Sequence, residues 1–211
     1  MRLLIENFAA KITQNMSARN LFAIVALFST ASGAALNTLI QPHPHQTVFR
    51  FPSQTNDANV ATFVANNSQA TEVYLENSEV TDACIRNLKS LENLQILNLR
   101  RTHITGSTLG ELRNLRSLDI ELTDVDSAGL QQLANLQQLT ALKLGSSMVD
   151  LHERFSVLKA TLSQLPQLTT LSVRWVRLSS DQLDELRRLL PRVTIYASLP
   201  FALSAAASIA P

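Results

Sequence analysis

Two hydrophobic periods alternate along the middle of the chain. Leu94-x-x-Leu97-x-Leu99 ends with apolar residues two apart, the spacing of one strand face. Behind it, Leu109, Leu112 and Leu115 repeat at every third position, the spacing of a helical stripe. The same pair of signals then returns. Taking the last strand residue of each unit, Leu75, Leu99, Ile120, Leu144 and Val173 correspond, and five residues on stand Val80, Ile104, Val125, Val149 and Leu178. The helical stripes are Ile85, Leu88, Leu91; Leu109, Leu112, Leu115; Leu130, Leu133, Leu136; and Leu183, Leu186, Leu189. An ordinary amphipathic helix gives three-and-four spacing, but not a strand signature that comes back about every 24 residues.

No unit of this kind covers its own apolar face, so neighbours must stack into one continuous core. The expected architecture is therefore α/β: a parallel sheet on the concave face of a solenoid and helices on the convex face. Units fall at 70–93, 94–114, 115–138, 139–167 and 168–192. The second is short and loses part of its outer helix, and the fourth carries an insertion around Leu151–Phe155. Asp82, Ser127 and Asp181 stand where outer helices begin and are expected to cap them. Ser78, Thr102, Thr123 and Ser147 form a column of hydroxyls expected to satisfy the turns between repeats; Val176 breaks it in the last unit. Val193-Thr194-Ile195-Tyr196 reads as a final edge strand. Before the regular units, Val48-Phe49-Arg50-Phe51 alternates like a strand and Val60, Phe63 and Val64 make a helical face. Residues 46–69 are thus expected to be a degenerate capping unit.

The Leu-x-x-Leu-x-Leu register resembles the leucine-rich repeat family. With hydroxyl residues in place of the usual Asn ladder, it is similar to the Thr-x-Ile/Val-Thr/Ser-Asp-like subtype of F-box and bacterial leucine-rich repeat proteins. The resemblance implies a leucine-rich repeat solenoid over 70–196 that binds a protein partner on its concave face. It implies no cofactor and no enzymatic activity.

Residues 1–40 are expected to form a separate N-terminal helical segment, joined by a linker at 41–45 whose Pro42 and Pro44 forbid regular structure. Three readings of that segment are open, one of them a plain hydrophobic cap of the solenoid. Leu4, Phe8, Ala9, Ile12 and Met16 share one helical face, and the order Leu4-Ile5-Glu6-Asn7-Phe8-Ala9-Ala10-Lys11-Ile12, followed by Met16-Ser17-Ala18-Arg19-Asn20-Leu21, resembles the F-box. That resemblance implies docking to an adaptor subunit of a ubiquitin ligase and a place inside a cell, a host cell included. Ile5 replaces the signature Pro, and the basic residues and Trp that usually follow are absent. Alternatively, Arg2, Lys11 and Arg19 precede the apolar run from Leu21 to Phe28 and the small residues Ser32 to Ala35, the order of an export signal; extended through Ile40 it would be a weak membrane anchor. The Ala- and Ser-rich segment 197–211 is too short to span a bilayer and reads as a tail.

Composition narrows the function. A formal net charge of +1 in 211 residues offers no electrostatic basis for binding nucleic acid. Cys84 is the only cysteine, which excludes an intramolecular disulfide, and its place beside Ile85 reads as a buried filler. His103 and His152 lie in different repeats with no nucleophile elbow near either. Asp124-x-Asp126 reads as a turn and helix start, and His43-x-His45 as a solvated linker pair. Asn66-Asn67-Ser68 fits the glycosylation sequon.

The candidate site is the set of strand residues lying between the buried ones: Tyr74 and Glu76, Arg100 and Arg101, Asp119 and Glu121, Lys143, and Arg174 with Trp175. These side chains are expected to point outward from a rigid sheet. Glu76, Arg100 and Glu121 share one strand position and can neutralise one another as exposed pairs. Equally, the Arg residues, Lys143 and the single Trp175 carry the chemistry that dominates protein interfaces.

Overall fold

The computed structural model describes residues 47–145, 154–176 and 178–197, with Trp175 as backbone alone. The expectations for 1–40, the linker at 41–45, Ser147, Val149, most of the Leu151–Phe155 insertion, His152 and the tail from Ser198 lie outside the described residues.

The chain folds as an α/β leucine-rich repeat solenoid. Among the described residues, seven strands lie in one sheet in chain order, all parallel: β1 Val48–Arg50, β2 Glu72–Tyr74, β3 Ile96–Asn98, β4 Ser117–Glu121, β5 Ala141–Gly145, β6 Thr170–Trp175 and β7 Thr194–Ala197. Between them run α1 Asp57–Asn66, α2 Asp82–Leu88, a 3-10 turn at Leu109–Glu111, α3 Ser127–Gln132 followed by a 3-10 turn at Leu133–Asn135, α4 Phe155–Leu162 and α5 Ser180–Leu189. The single 3-10 turn in the second regular unit is the shortening that its sequence foretold.

The core is a set of columns running across the strands. Phe49, Val73, Leu97, Leu118, Leu142, Leu171 and Ile195 are successive partners in the parallel ladder. All but Ile195, on the last strand, are buried. Leu75, Leu99, Ile120, Leu144 and Val173 form a second buried column two residues on, and Val80, Ile104 and Val125 a third. Burying one such side chain contributes about 1.5–3 kcal/mol, so stacking identical positions accounts for the repeat's cohesion. The first strand and helix join in register. Their core is aromatic, with Phe63 packed edge-on against Phe49 and Phe51 at ring separations of 4.6 and 4.9 Å.

Hydrogen bonds tie each repeat to the next on the helical side. The Asp57 carboxylate accepts from Thr81 N and Oγ1 at 3.0 and 2.7 Å. Asp82 does the same for Thr105 N and Oγ1, at 3.1 and 2.5 Å, and also takes Gly106 N at 2.9 Å. Asp82 therefore does not cap its own helix as expected. The capping residues are Thr81, Asp126 and Ser179, the last with Gln182 in a reciprocal capping box. Each lies one or two residues ahead of the expected Asp82, Ser127 and Asp181, because a cap must sit outside the helix in extended backbone while its oxygen reaches forward to a free amide. The hydroxyl column is buried as expected, but Ser78, Thr102 and Thr123 donate to the carbonyls of Leu75, Leu99 and Ile120, closing the turn within their own repeat.

One stripe residue is misplaced by the three-residue pattern. Leu189 is 40% exposed, and Leu190 is buried instead. The last helix runs for ten residues, and along a full α-helix the positions sharing a face with Leu183 and Leu186 lead to Leu190. At α3, Gly129 meets the preceding repeat directly: a Cβ there would lie 2.1 Å from Thr105 O.

Candidate functional site: the open face of the sheet

Helices cover one face of the sheet, and strand residues of the other parity line the open face. Across it, Arg50, Tyr74, Asn98, Asp119, Lys143, Ser172 and Tyr196 are ladder partners in one row. The next row holds Glu76, Arg100 and Glu121, with Gly145 opposite Glu121. Its register is carried beyond the strands by Asn77 N to Arg100 O at 2.9 Å and Arg101 N to Glu121 O at 3.0 Å. Of the nine expected site residues, Tyr74, Asp119, Glu121, Lys143, Arg174 and Trp175 lie on strands of this sheet, Trp175 described by its backbone alone, while Glu76, Arg100 and Arg101 lie in the turns just past β2 and β3.

Their environments differ from the expectation of freely exposed pairs. Asp119 and Glu121 are only 8% and 5% exposed. Asp119 is covered because its Oδ1 accepts from Glu121 N at 3.1 Å while its Oδ2 takes Lys143 Nζ at 3.1 Å. Asn98 makes the matching contact to Arg100 N at 3.0 Å one repeat earlier. Glu121 lies between Arg100 Nε, 3.7 Å from its Oε2, and Ser172 Oγ, which donates to its Oε1 at 3.1 Å. Removing a carboxylate from water demands such partners, and both acids have them.

Glu76 does not join this chain of pairs. It is half-buried, and its Oε2 has no hydrogen-bond partner among the described residues. Tyr74 donates its hydroxyl to Glu72 Oε2 at 2.8 Å, and the Arg50 guanidinium lies 3.8 Å from its ring centre. Partial burial first, and the Glu72 carboxylate second, raise the Tyr74 phenol above its ordinary value.

The cations lie outermost. Arg50, Arg101, Lys143 and Arg174 are exposed, and the Arg174 guanidinium lies 5.6 Å from the ring of Tyr196, itself 45% exposed. Arg101 Nη1 donates to Asn77 Oδ1 at 3.5 Å. Arg50 and Tyr196 were not among the expected site residues. The signal was present, since the repeat period carries Tyr74 back to Arg50 and Ser172 on to Tyr196. A bulge in β6 also sets Trp175 opposite Gly145, where a constant offset would have put Arg174.

Elsewhere the chemistry is structural. Cys84 is buried, and burial, with Asp57 and Asp82 adding to it, pushes its thiol well above the ordinary range. His103 Nδ1 meets Asp124 Oδ2 at 3.5 Å between neighbouring repeats, both groups exposed. Asp126 caps α3, as a turn and helix-start pair should. Among the described residues no cluster of three or more His, Cys, Asp or Glu is placed to hold a metal, and no helix is long and apolar enough to cross a membrane.

No protein-family model and no curated protein matches the chain. Among solved structures it is similar to an internalin of Listeria monocytogenes, with 25% identity and a TM-score of 0.45, over 66% of this chain and 44% of that one. It is similar also to a leucine-rich repeat protein of Leptospira interrogans, with 17% identity and a TM-score of 0.45, over 65% of this chain and 38% of that one. The C-terminal domain of a Caenorhabditis elegans tropomodulin gives 12% identity and a TM-score of 0.45, over 75% and 90% of the two chains. The match spans less than half the length of the Listeria and Leptospira chains.

Proposed function

We propose that the chain is a non-enzymatic protein-interaction module whose partner docks on the open face of the sheet, against Tyr74, Glu76, Arg100, Arg101, Asp119, Glu121, Lys143, Arg174 and Trp175. The observation that carries this reading is the layering of that face: buried, partnered carboxylates fix a rigid floor, and exposed Arg and Lys side chains stand above it. A surface held by parallel strands presents those groups at little ordering cost, which favours recognition over chemistry. Asp119 and Glu121 belong to the floor and position Lys143 and Arg100.

The test compares two charge reversals of the full chain in a pull-down. Arg101→Glu with Arg174→Glu alters the open face; Arg86→Glu with Arg113→Glu alters exposed residues of the helical side. Loss of the captured protein with the first pair and retention with the second supports the reading. The opposite pattern removes it.

The finer reading is a substrate adaptor, in which residues 1–40 dock a ubiquitin-ligase subunit and the open face selects the target. Its support is the F-box-like order of Leu4 to Leu21. The competing reading, an exported or membrane-anchored recognition protein, draws its support from the apolar run at Leu21 to Phe28. Recovery of the purified adaptor subunit on the full chain but not on a chain lacking residues 1–40 supports the first. An N-terminus beginning near Ala35, or a membrane-bound chain, supports the second.

A further inference from the structure

We infer that the segment docking on the open face is acidic: a protein segment rich in Asp and Glu whose carboxylates meet Arg50, Arg100, Arg101, Lys143 and Arg174. This rests on the docking reading above and adds the partner's chemistry.

The whole-chain charge of +1 conceals how the open face is layered. Its row and flanks carry nearly as many carboxylates as cations, yet the two signs do not share a depth. Asp119 and Glu121 lie beneath the surface and are already bonded, and Glu72 and Glu76 are half-buried. Arg50, Arg101, Lys143 and Arg174 are exposed, and Arg100 is partly so. An approaching chain therefore meets ammonium and guanidinium groups first. Neighbouring strands are spaced about 4.8 Å apart, so Arg50, Arg100 and Lys143, on or just beyond every second strand, recur at roughly 10 Å across the sheet. Guanidinium forks suit carboxylates, and the floor beneath holds the side chains that bear them.

A nucleic acid would carry the same sign, but the face suits it poorly. Of the described rings in its row, Tyr74 is covered by Arg50 at 3.8 Å and Tyr196 stands on the last strand, five strands away, so they do not form the run of adjacent rings on which successive bases stack. The half-buried and buried carboxylates just below would also repel a dense row of phosphates, which a peptide with spaced acids avoids.

The test is fluorescence anisotropy with the full chain and three labelled probes: a repeating Glu-Ser peptide, a repeating Lys-Ser peptide of equal length, and an oligothymidylate. The Glu-Ser peptide should bind, weaken as salt rises, and lose about tenfold in affinity in the Arg101→Glu, Arg174→Glu protein; tenfold corresponds to about 1.4 kcal/mol. If the double reversal unfolds, Arg101→Gln alone should still weaken binding measurably. Equal binding of the Lys-Ser peptide, tighter binding of the oligothymidylate, or an unchanged affinity in a folded variant would each overturn the inference. Should no probe bind while the open-face reversal still abolishes capture of the partner, the acidic character is wrong and the docking surface stands.

Discussion

Ser172 and Glu121 are hydrogen-bonded at 3.1 Å although they belong to β6 and β4, with β5 between them. The residue of β5 opposite Glu121 is Gly145, which has no side chain to stand in the way. The carboxylate reaches over that gap and is held from the other side by Arg100. The residue directly opposite this buried carboxylate thus adds no side chain between it and Ser172.

Gly145→Val reverses what strand propensity alone would suggest. Valine favours a strand over glycine by up to about 1 kcal/mol, yet here its methyl groups would compete with the Glu121 carboxylate for the space above β5. Urea unfolding should show a net loss of stability. The same substitution in a Glu121→Ala background should be neutral or stabilising, because nothing then crosses the gap.

Much of this arrangement was legible in the sequence, and the limits are physical. The columns through Val73, Leu97, Leu118, Leu142 and Leu171 follow from the repeat period, since a stacked strand can bury only one parity of residue. Burial of Asp119 and Glu121 did not follow, because it depends on what Lys143, Gly145 and Ser172 contribute from other repeats. The bulge that moves Trp175 opposite Gly145 leaves no mark on the hydrophobic pattern. Caps were misplaced by one or two residues because the competing Ser, Thr and Asp side chains near each helix start are chemically alike.

At Gly129 the backbones of two repeats touch, so Gly129→Ala should destabilise even though alanine is the better helix former. Alanine's propensity advantage is about 1 kcal/mol. A Cβ 2.1 Å from Thr105 O must force the repeats apart, an overpacking cost of about 1–3 kcal/mol or more. Thermal unfolding of the variant should give a lower Tm; a higher one would show that the repeats do not meet there.

Asn77, Arg101 and Leu122 close β2, β3 and β4 from the left-handed region, with φ of 60, 56 and 58°. Asn tolerates this conformation and Leu does not, at a cost of roughly 1–2 kcal/mol. Asn77→Leu should therefore lower stability by about 1 kcal/mol, while Leu122→Asn should raise it or leave it level, having shed strain for some lost burial. Paired denaturant titrations measure both signs.

Cys84 gives the pH dependence. Burial above all, then Asp57 and Asp82, hold its folded thiol far above the value of about 8.5 expected in the unfolded chain. Because the folded value is the higher one, the associated stability is complete below about pH 8.5. It falls as pH rises above that point, where only the unfolded chain releases the proton. Stability measured from pH 7 to 10 should decline at the alkaline end, and Cys84→Ala should flatten that decline. A thiol reagent at pH 8 should label the folded chain only as fast as it opens.

Site-specific photocrosslinking tests most directly whether the open face is the one that recognises a partner. A photoreactive residue placed at Arg101 or Lys143, on the open face, is compared with one at Arg86 or Arg113, exposed on the helical side. A discrete protein adduct from the first two positions, competed away by unlabelled chain, with none from the second two, is the expected result. Adducts of equal yield from both sides, or from the helical side alone, would contradict it.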